Sequence, residues 1–349
     1  DSGSNYITIE APTIIASTTN YTLPAADGLS GDVLSTNGLG QLSWVPAGGG
    51  GGGGGTISNG LVHPTDNSTF ESGAYNPSMT GAFNTAIGSG SLFNNSQGSL
   101  NTAFGSLSLY QNTSGSNNSA FGYGALYSNT FTEGNTAIGF QSLFNNSQGY
   151  YNTAVGGYAL FSNIFGGYNV AMGRFSLYRL NGGYSNTALG VFALSNTLYG
   201  YGNVAIGDSA LGNSENVNYS VAIGLGACQL SSNSIGNVAI GAYAMQQTYY
   251  GEYNVVVGYG SWANDINNSV LIGPGITPSS QSTINGLIVI GNGGDGYYAD
   301  SYSTYINGGQ GSQHSGVVSI GKDASGFAPT PQNWSMDNVF ALGTANHFY

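Results

Sequence analysis

The sequence predicts an all-β chain, a β-solenoid or β-roll of 17-residue coils, and three observations predict it. The motif Asn-Thr-Ala-Ile-Gly at residues 84–88 returns every 17 residues for eleven copies, at Asn84, Asn101, Asn118, Asn135, Asn152, Asn169, Asn186, Asn203, Ser220, Asn237 and Asn254. Unrelated loops drift in length, so a register held this long marks one repeated supersecondary unit. A large residue also stands eight positions after each start: Leu92, Leu109, Leu126, Leu143, Leu160, Leu177, Leu194, Leu211, Cys228, Met245 and Trp262. One such residue per turn fills the interior of a stacked coil. Finally, Gly, Asn and Ser interrupt the apolar runs within about four residues, too short for a stable helix.

Five segments follow in chain order. Residues 1–47 form an N-terminal β module, with strand-like runs at Tyr6, Thr13, Tyr21 and Leu42 and a turn signal at Asn37-Gly-Leu-Gly. Residues 48–55 are eight glycines, read either as a flexible linker or as extended left-handed helices of several chains packed closely. Residues 56–83 cap the ladder, residues 84–262 are the solenoid repeats, and residues 263–349 are an irregular C-terminal β region. In that last region β-runs closed by Gly persist at Gly273, Gly291, Gly321 and Gly343, but the period is lost.

Within one repeat, the three residues after the starting Asn are a short β-prone run. Alternation puts Thr/Val and Ile/Phe on one face and Ala on the other. The alanine column, from Ala86, Ala103 and Ala120 onward with Val256 as its exception, demands a small side chain. Close packing of a backbone or of another subunit is the expected reason. The Gly that closes the run suits a corner with positive φ. Asn95, Asn112, Asn129, Asn146 and Asn163 form a further column, three residues ahead of Gly98, Gly115, Gly149 and Gly166 where Gly is kept. Stacked amides and turn scaffolding are the expected role of these Asn.

Composition narrows the function. Charged residues are 5% of the chain, and Arg174, Arg179 and Lys322 are its only bases against 15 acids, a net charge of −12. Three cations assemble no nucleic-acid surface, and the negative charge disfavours anionic membranes. No run of 18 apolar residues predicts a membrane-spanning helix, and no basic-plus-apolar leader opens the sequence. Cys228 occupies a Leu-column position and is expected to be a buried structural thiol.

Catalysis finds little support. Glu133, Asp208, Glu215 and Glu252 are the acids of the ladder. Glu133 and Glu252 share a column but stand seven coils apart, about 34 Å at strand spacing and far beyond a carboxylate pair. His63, His314 and His347 have no second ligand or nucleophile at metal or triad spacing. The run from Gly291 to Gly296, with Asp300, has calcium-like composition but occurs once. No cofactor or metal is expected.

Aromatic residues offer the better lead. Phe93, Tyr110, Tyr127, Phe144, Phe161 and Tyr178 follow the Leu column by one and should turn away from it. They suit either a sugar or, more readily, a neighbouring subunit. The receptor-contact candidates are the Tyr-rich patches where the ladder frays: Tyr249, Tyr250 and Tyr253, then Tyr297, Tyr298, Tyr302 and Tyr305.

The Asn-x-Ala-x-Gly ladder is similar to the head β-roll of trimeric autotransporter adhesins. Its longer form, Asn-Thr-Ala-x-Gly followed by Ala/Ser-Leu-Phe/Tyr, resembles repeats in fibres of tailed bacteriophages and other viruses. Residues 21–44 look like a module near the N-terminal side of phage tail-fibre repeats. Residues 340–349 resemble the stretch before a self-cleaving chaperone domain, whose absence fits a processed chain. The 17-residue period and the lack of a C-terminal membrane anchor depart from the adhesins. The resemblance implies a homotrimeric, rigid viral fibre on the virion or an extracellular surface. Its partners would be a cell-surface glycan or protein receptor and other fibre or virion proteins. An extracellular bacterial adhesin or filament subunit is the alternative, and a polysaccharide-degrading spike a distant third.

Overall fold

The computed structural model describes residues 32–36, 42–46, 61–62, 68–70, 79–246, 251–262, 266–279, 284–291, 297–298, 304–306, 318–320 and 340–342. The chain divides into two units, Asp1–Leu61 and Val62–Tyr349. In the first, strands Asp32–Thr36 and Leu42–Pro46 pair antiparallel, with Leu34 opposite Trp44. This hairpin brackets the Asn37-Gly turn signal. The polyglycine run and the three histidines lie outside the described residues.

The second unit is a parallel β-solenoid of about 11 turns with about 17 residues per coil. Its three-residue strands run from Thr85–Ile87 to Val255–Val257, each pairing in register with the next, as in Thr85↔Thr102, Ala86↔Ala103 and Ile87↔Phe104. The ladder extends past both ends of the sequence repeat. Ser68–Phe70 pairs with Thr85–Ile87. On the other side Val270–Ile272, Ile288–Ile290, Thr304–Ile306, Val318–Ile320 and Phe340–Leu342 add parallel rungs. The described residues contain no helix.

In the regular ladder, from Thr85–Ile87 to Val255–Val257, each strand is buried at its middle residue only. The alanine column therefore faces the interior of its own coil, in one apolar cluster with the Leu column. That corrects the expectation of a neighbouring subunit at this column: alanine is small because the coil is thin. The third strand residue faces outward, leaving Phe104, Phe121, Ile138, Met172, Ile206 and Ile240 exposed in one register line.

The closing glycines take φ between 118° and 149° from Gly88 to Gly258. A Cβ on Gly105 would lie 2.6 Å from the carbonyl oxygen of Gly122 in the next coil, so both conformation and contact exclude a side chain. The Leu column is fully buried from Leu92 to Met245, Cys228 included. The reading of Trp262 as its last member fails: Trp262 is 37% exposed. Val270 follows Val255 by 15 residues, a shortened coil with Ile266 buried inside it, while Ile276 is buried in the coil after it.

Two buried amide ladders run along the stack. In the first, the Asn101 backbone N–H and its Nδ2 both donate to Asn84 Oδ1, at 3.0 and 3.1 Å, while Nδ2 also donates to the Gly115 carbonyl at 2.8 Å. The pattern repeats at Asn118, Asn152, Asn169, Asn186 and Asn203. In the second, Asn112, Asn129, Asn146 and Asn163 each donate to the Asn one coil earlier, at 2.7–3.2 Å. Members of both ladders also donate to a backbone carbonyl, so the buried side chains close the coil that would otherwise leave orphan acceptors.

Candidate binding surface

In-register repetition places equal side chains about 4.8 Å apart, close to the stacking distance of aromatic rings. Phe93, Tyr110, Tyr127, Phe144, Phe161 and Tyr178 accordingly stack one on another, with centroids 4.9–5.7 Å apart and planes within 19°. Their faces meet each other within the chain and mainly edges are left to solvent. A second stack, Tyr158, Phe175 and Phe192, has centroid steps of 5.2 Å and meets the first edge-on, Phe175 against Tyr178 at 5.3 Å. Sequence reasoning missed this second stack, because its neighbours along the column, Gln141 and Ser209, hide the run.

Of the Tyr-rich candidates, Tyr253 is 56% exposed at φ 55°. It occupies the place in the coil just before the first residue of the repeat, which Tyr151, Tyr168 and Tyr219 hold elsewhere and where they are likewise exposed. Tyr297–Tyr298 form a short strand parallel to Pro278–Ser279. Tyr305 is the middle residue of strand Thr304–Ile306, in register with Val289 and Ser319, the position alanine holds in the regular coils. Tyr249, Tyr250 and Tyr302 lie outside the described residues.

The acids stay apart. Glu133 accepts a hydrogen bond from Tyr151 Oη at 2.9 Å, and this bond raises the Tyr151 phenol above its ordinary range. Asp208 accepts from the Ser209 hydroxyl at 2.8 Å. Burial pushes the Cys228 thiol up to about 12. Among the described residues no group of three His, Cys, Asp or Glu side chains could hold a metal ion, and no helix is long and apolar enough to cross a membrane. The two described cations sit on one coil: the Arg174 guanidinium lies 4.5 Å from the Phe175 ring centroid, and Arg179 donates to Asn196 Oδ1.

No protein family, curated protein or solved structure matches this chain.

Proposed function

We propose that the chain is a structural fibre protein, a homotrimeric rod of a viral tail fibre whose activity is attachment to a host surface and not chemistry. The supporting observation is the outward apolar line of the sheet, from Phe104 through Ile240. Soluble monomers rarely carry contiguous apolar patches of this kind, and long ones mark interaction surfaces. Here the line repeats with every coil, so the partner that matches it along its whole length is another copy of the same coil. The interior supplies rigidity through the stacked amides, and the surface supplies almost no charge. Attachment can use the region after Trp262, where irregular coil lengths shape surfaces that do not recur, as well as any coil whose side chains depart from the repeat.

Velocity sedimentation of the purified chain tests this reading. A trimeric mass is expected, and replacing Ile138 and Ile206 together by Lys should lower it to that of one chain. A folded monomer at micromolar concentration, or shortening of a capsular polysaccharide by the pure protein, overturns the proposal.

A further inference from the structure

Resting on the attachment reading, we propose that the coil containing Arg174 and Arg179 carries a binding site for an acidic saccharide, with Tyr178 as the platform for the sugar ring and Arg179 as the partner of its carboxylate. The first argument is charge. Between Glu133 and Asp208 the chain has only two charged side chains, and both are positive. Four successive coils therefore form a cationic island in a chain of net charge −12. Among the described residues neither arginine has an ion-pair partner: Arg174 rests on Phe175 and Arg179 reaches Asn196. Asp208 and Glu215 stand two coils away, about 10 Å at strand spacing. That is more than a Debye length of about 8 Å at physiological salt, so the surrounding negative charge is largely screened at the island.

The second argument is the end of the aromatic stack. Phe161 covers one face of Tyr178 at 5.5 Å. The next place in the column belongs to Ser195 and the one after to Gly212, so the parallel stack ends at Tyr178, which stays part-exposed while Phe175 meets it edge-on at 5.3 Å. The Ser195 hydroxyl is turned to the Gly212 carbonyl at 2.8 Å, which keeps this shelf low. Arg179 follows Tyr178 directly and reaches along the same coil-to-coil direction to Asn196, which in turn donates to Asn213 at 2.8 Å. One bond to Asn196 orients the guanidinium and leaves most of its five N–H donors available. A part-exposed tyrosine at the end of its stack, beside an exposed guanidinium fork, fits the apolar face of a sugar ring whose carboxylate takes paired N–H donors. Neutral sugars would use only the ring.

The test uses the full chain and a panel of oligosaccharides carrying uronate or sialate carboxylates, each matched with its carboxyl-reduced counterpart. The proposal expects binding of an acidic member, at least about tenfold weaker for its reduced counterpart. Arg179→Gln and Tyr178→Ala should each weaken it by about tenfold or more, whereas Tyr219→Ala, on another column, should not. Equal binding of acidic and reduced forms, binding unchanged in Arg179→Gln, or retention of poly-glutamate with no saccharide bound overturns it. Circular dichroism and the melting temperature check that the variants are folded. A chain that binds cells with Arg179→Gln as well as the wild type removes this site but leaves attachment standing. A wild-type chain that binds no cell surface removes both.

Discussion

The Leu column is left-handed. Leu92, Leu109, Leu126, Leu143, Leu160, Leu177, Leu194, Leu211, Cys228 and Met245 all have φ between 49° and 54°, while their side chains are fully buried. An L-residue there costs about 1–2 kcal/mol, and a β-branched one more, since its second γ-atom meets the backbone. None of the described non-glycine residues with positive φ is Val, Ile or Thr. Leu160→Ile, nearly equal in volume, should therefore destabilise by about 1–3 kcal/mol, and Leu160→Met by less. Thermal melts compare them, and equal losses would contradict the left-handed backbone. The Cys228 thiol has an ordinary value of 9.0 and is pushed up to about 12, so folding favours its protonated form. This contribution is complete below pH 9 and is lost as pH rises toward 12. The native chain at pH 8 should resist alkylation by iodoacetamide and react only on unfolding; stoichiometric labelling of folded protein would show an accessible thiol. Burial of the column was legible from its constant offset. Its backbone was not, because Leu carries no mark of φ, although the missing Val and Ile were a signal in plain sight.

At the scale of one coil, two inward positions three residues apart share a fixed space. Asn146 stands with Gly149 and Asn163 with Gly166; a Cβ on Gly149 would meet Asn146 Oδ1 at 2.2 Å. Leu180 likewise pairs with Gly183, whose Cβ would lie 2.7 Å from Leu180 Cδ1. Where the first residue shrinks to Ser214, the second grows to Val217, and Ser231 and Ser234 share a hydrogen bond. Ser214→Asn should overpack and cost about 1–3 kcal/mol, and Val217→Gly should leave a cavity costing about 2–4. Together they recreate the Asn146 and Gly149 pair, so the double variant should be about 1–3 kcal/mol more stable than the sum of the singles. Strict additivity in chemical denaturation would sink this account. The same positions explain the buried Asn163 Oδ1, which has no hydrogen-bond partner: the next column member, Leu180, brings no N–H. The sequence showed the Asn and Gly columns as a turn. It did not show that most of them trade volume, Asn129 with the buried Thr132 being the exception, since that exchange is visible only once both are known to point inward.

Over the solenoid as a whole, each coil touches mainly its two neighbours, and stability is close to a sum of coil and interface contributions. The 17-residue register made nearly all of this legible, since one recognised strand places the other ten. The rungs it did not mark are those that lack the closing glycine: Ser68–Phe70 is followed by Glu71, and Thr304–Ile306 by Asn307. There the pairing partner, and not the local sequence, makes the strand. The candidate site was less legible, because the end of a ring stack depends on which residue occupies the next coil and not on the next residue in the chain. Length therefore matters modulo 17, which gives a direct test. Deleting residues 153–169 joins Asn152 to Val170 and keeps every column in line, including the Asn ladder from Asn135 through Asn152 to Asn186. The shortened chain should remain folded, with a β-type circular dichroism spectrum and a melting temperature lowered by only a few degrees. Deleting residues 153–161 removes about half as many side chains but shifts the inward columns out of register. It would set polar residues where Ala and Leu belong, each costing about 1–3 kcal/mol or more, and should abolish the cooperative melt. If the smaller deletion were tolerated as well as the larger, register would not be what holds the coils together.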